Sequence, residues 1–167
     1  AKREYNRANR EFNSADKAFQ KTEQAINDLN KFNPDLYKTL NNLQAPNGKT
    51  IDVYVSLWPN LQSNHFTKND GFANPQSVYG LAYMKSNYSS HQGAYTAEVA
   101  LEKTLVDPGR ILSHEGGHLA YLAKNMVEYI AKMKDGYWSK SIGGHGDGNP
   151  NGKTADEEEK NYINAKP

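Results

Sequence analysis

The chain has no cysteine among its 167 residues. That removes disulfides, thiolate ligands and cysteine nucleophiles together, and leaves His, Asp and Glu as its strong metal ligands. An excess of charge of one sign is also missing. Twenty Lys and Arg are intermixed with 19 Asp and Glu, for a net charge of +1, so no basic stripe argues for a nucleic-acid partner or an anionic membrane surface. No apolar run approaches the roughly 20 residues that span a bilayer, and the first residues are charged and helix-like where a signal peptide would be apolar. There is no Gly-rich phosphate loop, nucleophile elbow, dinucleotide fingerprint or internal repeat. The sequon Asn87-Tyr88-Ser89 reflects the abundance of asparagine more simply than glycosylation.

What remains suits one domain with a real core. Tyr5, Phe12, Phe19 and Ile26 recur seven apart, with Ala8, Ala15, Thr22 and Leu29 three residues after each. This stripe predicts one long helix that docks on its own domain, with a coiled coil as the alternative. Asn33 as N-cap and Pro34 in the first turn start a second helix, with Leu36, Leu40 and Leu43 facing inward. After "APNG" the period becomes two: Ile51, Val53, Val55 and Leu57 alternate with Asp52, Tyr54, Ser56 and Trp58, which predicts a strand. Residues 59 to 77 read as loop, and Leu81 to Met84 and Tyr95 to Leu101 as two further strands. "VDPGR" breaks the sheet, and a helix of more than twenty residues begins near Ile111. The expected division is an N-terminal helical segment over residues 1–46, packed on an α+β domain over 47–167.

The residues that carry chemistry are in "ILSHEGGHLAYLAKN". The stripe Leu112, Leu119, Leu122, Met126, Ile130 and Met133 runs straight through Gly116 and Gly117, so both glycines lie inside a helix despite a cost of about 1 kcal/mol each. They fit a place where another backbone approaches closely. On that helix His114 and His118 are one turn apart and point the same way, with Glu115 beside them. Two neutral imidazoles at this spacing hold one Zn²⁺, and the carboxylate between them takes the proton of an attacking water. Tyr121 continues the same face. Two exposed histidines on an amphipathic helix would be the plainer alternative.

With this motif, residues 51 to 165 resemble the zincin metallopeptidases, whose core combines a small mixed sheet, an "HEGGH"-type helix and a downstream ligand. The resemblance implies a zinc-dependent peptidase with His114 and His118 as ligands and Glu115 as general base, acting on a peptide or protein substrate. It makes Tyr95 to Leu101 a candidate edge strand that binds extended peptide. The metzincin branch would continue with glycine at position 121 and histidine at 124, where this chain has Tyr121 and Lys124, and is excluded. A gluzincin-like or aspzincin-like third ligand lies in "GGHGDGNPNGKTADEEEKNY". Thr154 and Glu157 have capping-box spacing, which ties Glu157 to a helix start. Glu159 is then the first choice and Asp156 the second, and the carboxylate not spent on zinc orients a ligand histidine. An acidic run at a helix start is more often only a solvated, dipole-stabilised face. His145 and Asp147 sit in the glycine-rich loop. His145, Tyr121 and Tyr162 are candidates to stabilise a transition state, whereas His65 and His91 read as exposed. The alternative function is a catalytically degenerate zincin-like binding or structural module.

Overall fold

A computed structural model describes residues 2–62, 77–86, 95–128 and 148–167. The sequon at 87–89, His65, His91, His145, Asp147, Ile130 and Met133 lie outside the described residues. The chain is α+β: α1 (Lys2–Phe32), α2 (Pro34–Asn41), β1 (Asp52–Trp58), β2 (Gly80–Ser86), β3 (Tyr95–Glu102), α3 (Pro108–Lys124) and α4 (Pro150–Ala165). No helix among the described residues is long and apolar enough to cross a membrane.

The same punctuation starts three of the helices. Asn33, Asp107 and Asn149 are N-caps whose side chains accept from a backbone N–H of the first turn, and each is followed by proline. A proline at the first helical position has no N–H to leave unpaired and a φ already suited to the helix. From sequence alone the first of these reads as a helix start and the other two as breaks. α3 begins at Pro108, not near Ile111, and α4 at Pro150, five residues before a helix capped by Thr154 would. Thr154 lies within α4, its hydroxyl bonded to the Pro150 carbonyl at 2.9 Å. At the other end α3 stops at Lys124 after 17 residues, shorter than expected, with Asn125 as C-cap.

The three strands form one mixed sheet in the order β1-β3-β2, with β1 parallel and β2 antiparallel to β3. β3 is therefore the central strand, and Tyr95 to Leu101 is not an edge. The physical reason is its burial on both faces: Ala97, Val99 and Leu101 on one side and Ala100 on the other are 0% exposed. Among the described residues the antiparallel edge is β2. The inward row of β1 meets Ala97, Val99 and Leu101 in register and faces α1 and α2, while β2 and β3 pack against α3.

α3 lies between this sheet and the other helices, touching α1, α2, α4, β2 and β3. Leu112, Leu119, Leu122 and Met126 are each at most 2% exposed. At about 1.5–3 kcal/mol apiece their burial outweighs the roughly 2 kcal/mol cost of two mid-helix glycines. The glycines also have separate partners. A Cβ on Gly117 would lie 2.7 Å from the Ala155 Cα and 3.1 Å from the Thr154 carbonyl oxygen, so the backbone of α4 runs against the helix there. A Cβ on Gly116 would meet the side-chain ends of Leu40 and Leu36 from α2.

The N-terminal helices dock over part of their length. Ala25, Leu29, Leu36, Leu40 and Leu43 are buried, but Phe12 and Phe19 are 69% and 63% exposed. The predicted self-packing of the α1 stripe thus holds only for its second half. A helix of 31 residues extends about 46 Å, and among the described residues its buried positions begin only at Ala25.

Candidate metal centre

The first imidazole, His114, is half-buried on α3. Its Nδ1 lies 3.0 Å from Glu159 Oε2 and 3.7 Å from Asp156 Oδ1, both on α4. Ligand atoms of His114, Asp156 and Glu159 all fall within 4.8 Å of one another. The two α4 residues chosen from the sequence as third-ligand candidates are therefore both brought to the first histidine. Glu157 is exposed.

His118 is one turn further along, 7% exposed, with its ring centroid 5.0 Å from that of His114 and nearly perpendicular to it. It is not a member of the His114–Asp156–Glu159 group. Its Nδ1 is 2.9 Å from Oδ1 of Asn151, a residue 1% exposed in the first turn of α4. A carbonyl oxygen only accepts, so His118 Nδ1 donates and the lone pair falls on Nε2. The Glu159 carboxylate has the same effect on His114. One helix thus fixes the tautomer of both imidazoles, an arrangement typical of metal-binding histidines.

Both oxygens of Glu159 are engaged, because Arg110 Nε donates to Oε1 at 2.6 Å while His114 faces Oε2. Arg110 stands one turn before His114. Sequence reasoning missed it, although the i, i+4 spacing was a usable signal. Asn151 was missed as well, and nothing local marks it as the partner of a histidine 33 residues earlier.

Glu115 points from α3 towards the sheet. It is 8% exposed, and a Cβ on Gly80 would lie 2.7 Å from its Cγ and Oε1, so β2 approaches this side chain as closely as a glycine permits. Burial, reinforced by the charge of Glu159 and opposed by a hydrogen bond from the Ala82 backbone N–H, pushes its carboxyl up to about 8. Gly80 and Ala82 are thus the parts of β2 that define the setting of Glu115. No sequence signal singled them out.

Two further candidates fall differently. Tyr162 is fully buried, but its hydroxyl donates to Asp107 Oδ1 at 2.9 Å and accepts from Lys166 Nζ at 3.1 Å, which places it at the N-terminus of α3. Burial and the neighbouring Asp107 push that hydroxyl up to about 12 despite Lys166. Its ring meets Phe32 edge-on at 5.6 Å. Tyr162 is therefore a tie between α4, α3 and α1, and its hydroxyl is already occupied. Tyr121 is half-buried on α3, one turn beyond His118.

The chain matches no family model, no curated protein and no solved structure.

Proposed function

We propose that the chain is a zinc-dependent metallopeptidase with a zincin-like core. The observation that carries this reading is the shared bracing of His114 and His118 by α4, together with a buried carboxyl between them on α3. Two imidazole nitrogens and one carboxylate oxygen are a donor set suited to zinc, and the 4.8 Å grouping of His114, Asp156 and Glu159 is compatible with a shared cation. His114 and His118 would supply the nitrogens, and Glu159 the oxygen once it exchanges its bond to His114 Nδ1 for the cation. Bound there, zinc would polarise a carbonyl and acidify water.

The protein's own residues account for the remaining chemistry. Glu115 is the general base, held by the Ala82 N–H and the close passage of Gly80. A buried carboxyl with a raised proton affinity is suited to receiving a proton and passing it to a leaving amine. The substrate edge expected at β3 passes to β2, whose backbone at residues 80–82 lies against Glu115. A peptide added to that strand in extended form would run beside the carboxyl.

A specific observation favours a second role for one ligand. Because Arg110 and His114 engage both oxygens of Glu159, this carboxylate also fits as the group that orients His114, with Asp156 nearer the cation. Measuring zinc affinity in Asp156→Ala and Glu159→Ala decides between them. As the ligand, Glu159 is the larger loss. As the orienting group it costs ~10–100-fold and Asp156 costs more.

The reading as a whole is tested by metal analysis of the purified protein and by cleavage of a mixed peptide library. The expected result is stoichiometric zinc that is lost in His114→Ala, and cleavage that is lost in Glu115→Gln. Zinc without cleavage by the unaltered protein supports the degenerate module, and a protein that takes up no zinc refutes the metal centre.

A further inference from the structure

The side chain of Asn33, at the junction of α1 and α2, is 5% exposed and reaches two other helices. Its two Nδ2 hydrogens are shared among three acceptors, Ser113 Oγ on α3 at 3.0 Å and the carbonyl oxygen and Oε2 of Glu158 on α4 at 3.1 and 2.8 Å. Ser113, itself 0% exposed, donates to the same Glu158 carbonyl at 2.8 Å. The Oδ1 of Asn33 meanwhile caps α2 through the Leu36 N–H. One amide thus serves three helices.

The two residues it joins are the chain neighbours of the two that face each other in the metal centre. Ser113 precedes His114, and Glu158 precedes Glu159. Other ties between α3 and α4 lie to either side: His118–Asn151 and the Gly117–Ala155 approach towards one end, and Asp107–Tyr162–Lys166 towards the other. At the level of His114 itself the two helices are joined by Arg110–Glu159, His114–Glu159 and the Ser113–Glu158 bond, and Asn33 is the group of a third element bonded to both partners of that last bond. A buried hydrogen-bonded network holds one geometry, and deleting the Asn33 donor removes a partner from Ser113 Oγ and from the Glu158 side chain together, leaving only the direct Ser113–Glu158 bond.

We infer that Asn33 is a positioning residue of the metal centre, clamping Ser113 to Glu158 so that the α4 carboxylates stand at ligand range from His114. The N-terminal helix pair is then part of the site and not an appendage. This rests on the zinc reading above, but it concerns affinity for the ion and not turnover.

The test uses the full chain, stripped of metal and titrated with zinc against a chromophoric chelator, with the visible spectrum of the cobalt-substituted protein as a second readout. Asn33→Asp keeps the cap of α2 but sets a second carboxylate against Glu158, and is expected to weaken zinc binding ~10–100-fold and alter the cobalt spectrum. Adding Glu158→Gln restores a donor with the roles exchanged, and the double variant is expected to recover both. Leu29→Val loosens the same helical junction without touching the network, and is expected to lower stability while leaving affinity unchanged. Should Asn33→Asp fail to fold, Asn33→Ser carries the same comparison, since it keeps a cap but gives up the reach to Glu158.

Unchanged affinity in the Asn33 variants, a loss matched by Leu29→Val, or no recovery in the double variant overturns this inference alone. An unaltered protein that binds no zinc overturns it together with the metal centre.

Discussion

Glu115→Gln is the sharpest perturbation of this protein, because it should remove activity and improve the metal-free fold at once. In the folded chain without a cation the carboxyl titrates at about 8, against an ordinary value of 4.5. A folded-state value raised above the unfolded one means stability that is complete below about pH 4.5 and is lost as pH rises towards 8. With those two values the group costs about 1 kcal/mol at pH 5 and about 3 kcal/mol at pH 7. The amide replacing it keeps an acceptor for the Ala82 N–H, and any cost of burying its NH₂ is independent of pH. The stability difference between Glu115→Gln and the unaltered protein should therefore move by about 2–3 kcal/mol in favour of the variant between pH 5 and pH 7. Urea denaturation followed by circular dichroism, with a chelator present, measures it. Adding zinc should reverse the trend, since a cation beside the site favours the charged carboxylate. Parallel pH profiles for the two proteins without metal would refute the claim that this carboxyl is buried and uncompensated.

Three other outcomes rest on the helix contacts. Gly117→Ala should destabilise by about 1–3 kcal/mol, because its methyl meets backbone of α4 that cannot yield, whereas Gly116→Ala should be near neutral, its clash with flexible leucine ends offset by helix propensity. Equal denaturation midpoints for the two would show that α4 does not press on α3 at Gly117. Asn151→Ala should weaken zinc binding ~10–100-fold by releasing His118 Nδ1, and a calorimetric titration equal to that of the unaltered protein would exclude it as the orienting group. Tyr162→Phe should cost about 1 kcal/mol in thermal denaturation while leaving zinc affinity intact, and a loss of affinity would return Tyr162 to the site.

Local signals in the sequence were reliable where the chemistry was local. The cap and proline at Asn33-Pro34, the alternation from Ile51 to Leu57 and the helical stripe through Leu112 and Leu119 each depend on a few neighbouring residues, and each appears in the fold. The same cap-proline signal at Asp107-Pro108 and Asn149-Pro150 resembles a simple break. Proline ends a helix on its N-terminal side but begins one on its C-terminal side, and only the residues after it distinguish the two. Strand order was not legible, because central or edge position is decided by partners elsewhere in the chain: β3 looks like β1 in sequence, yet among the described residues it is the strand paired on both sides. At the candidate site, His114, Glu115 and His118 came from helical spacing, and Glu159 and Asp156 from their common helix. Asn151, Arg110, Asn33 and Gly80 act across distances in the chain that no periodicity reports.

The placement of α4 also bears on when the proposed centre could choose its ion. Both histidines are on α3, but the groups that fix their tautomers, Asn151 and Glu159, come 33 and 45 residues after them. During synthesis, which proceeds from the N-terminus, the two imidazoles exist for a time without those partners. A bare histidine pair ranks divalent ions by intrinsic affinity, with copper above zinc, and only a fixed coordination geometry shifts that preference. On the proposed zinc reading, discrimination between metals would be acquired late, when α4 docks, and a chain refolded without metal and then given zinc should hold more zinc than one folded in mixed ions.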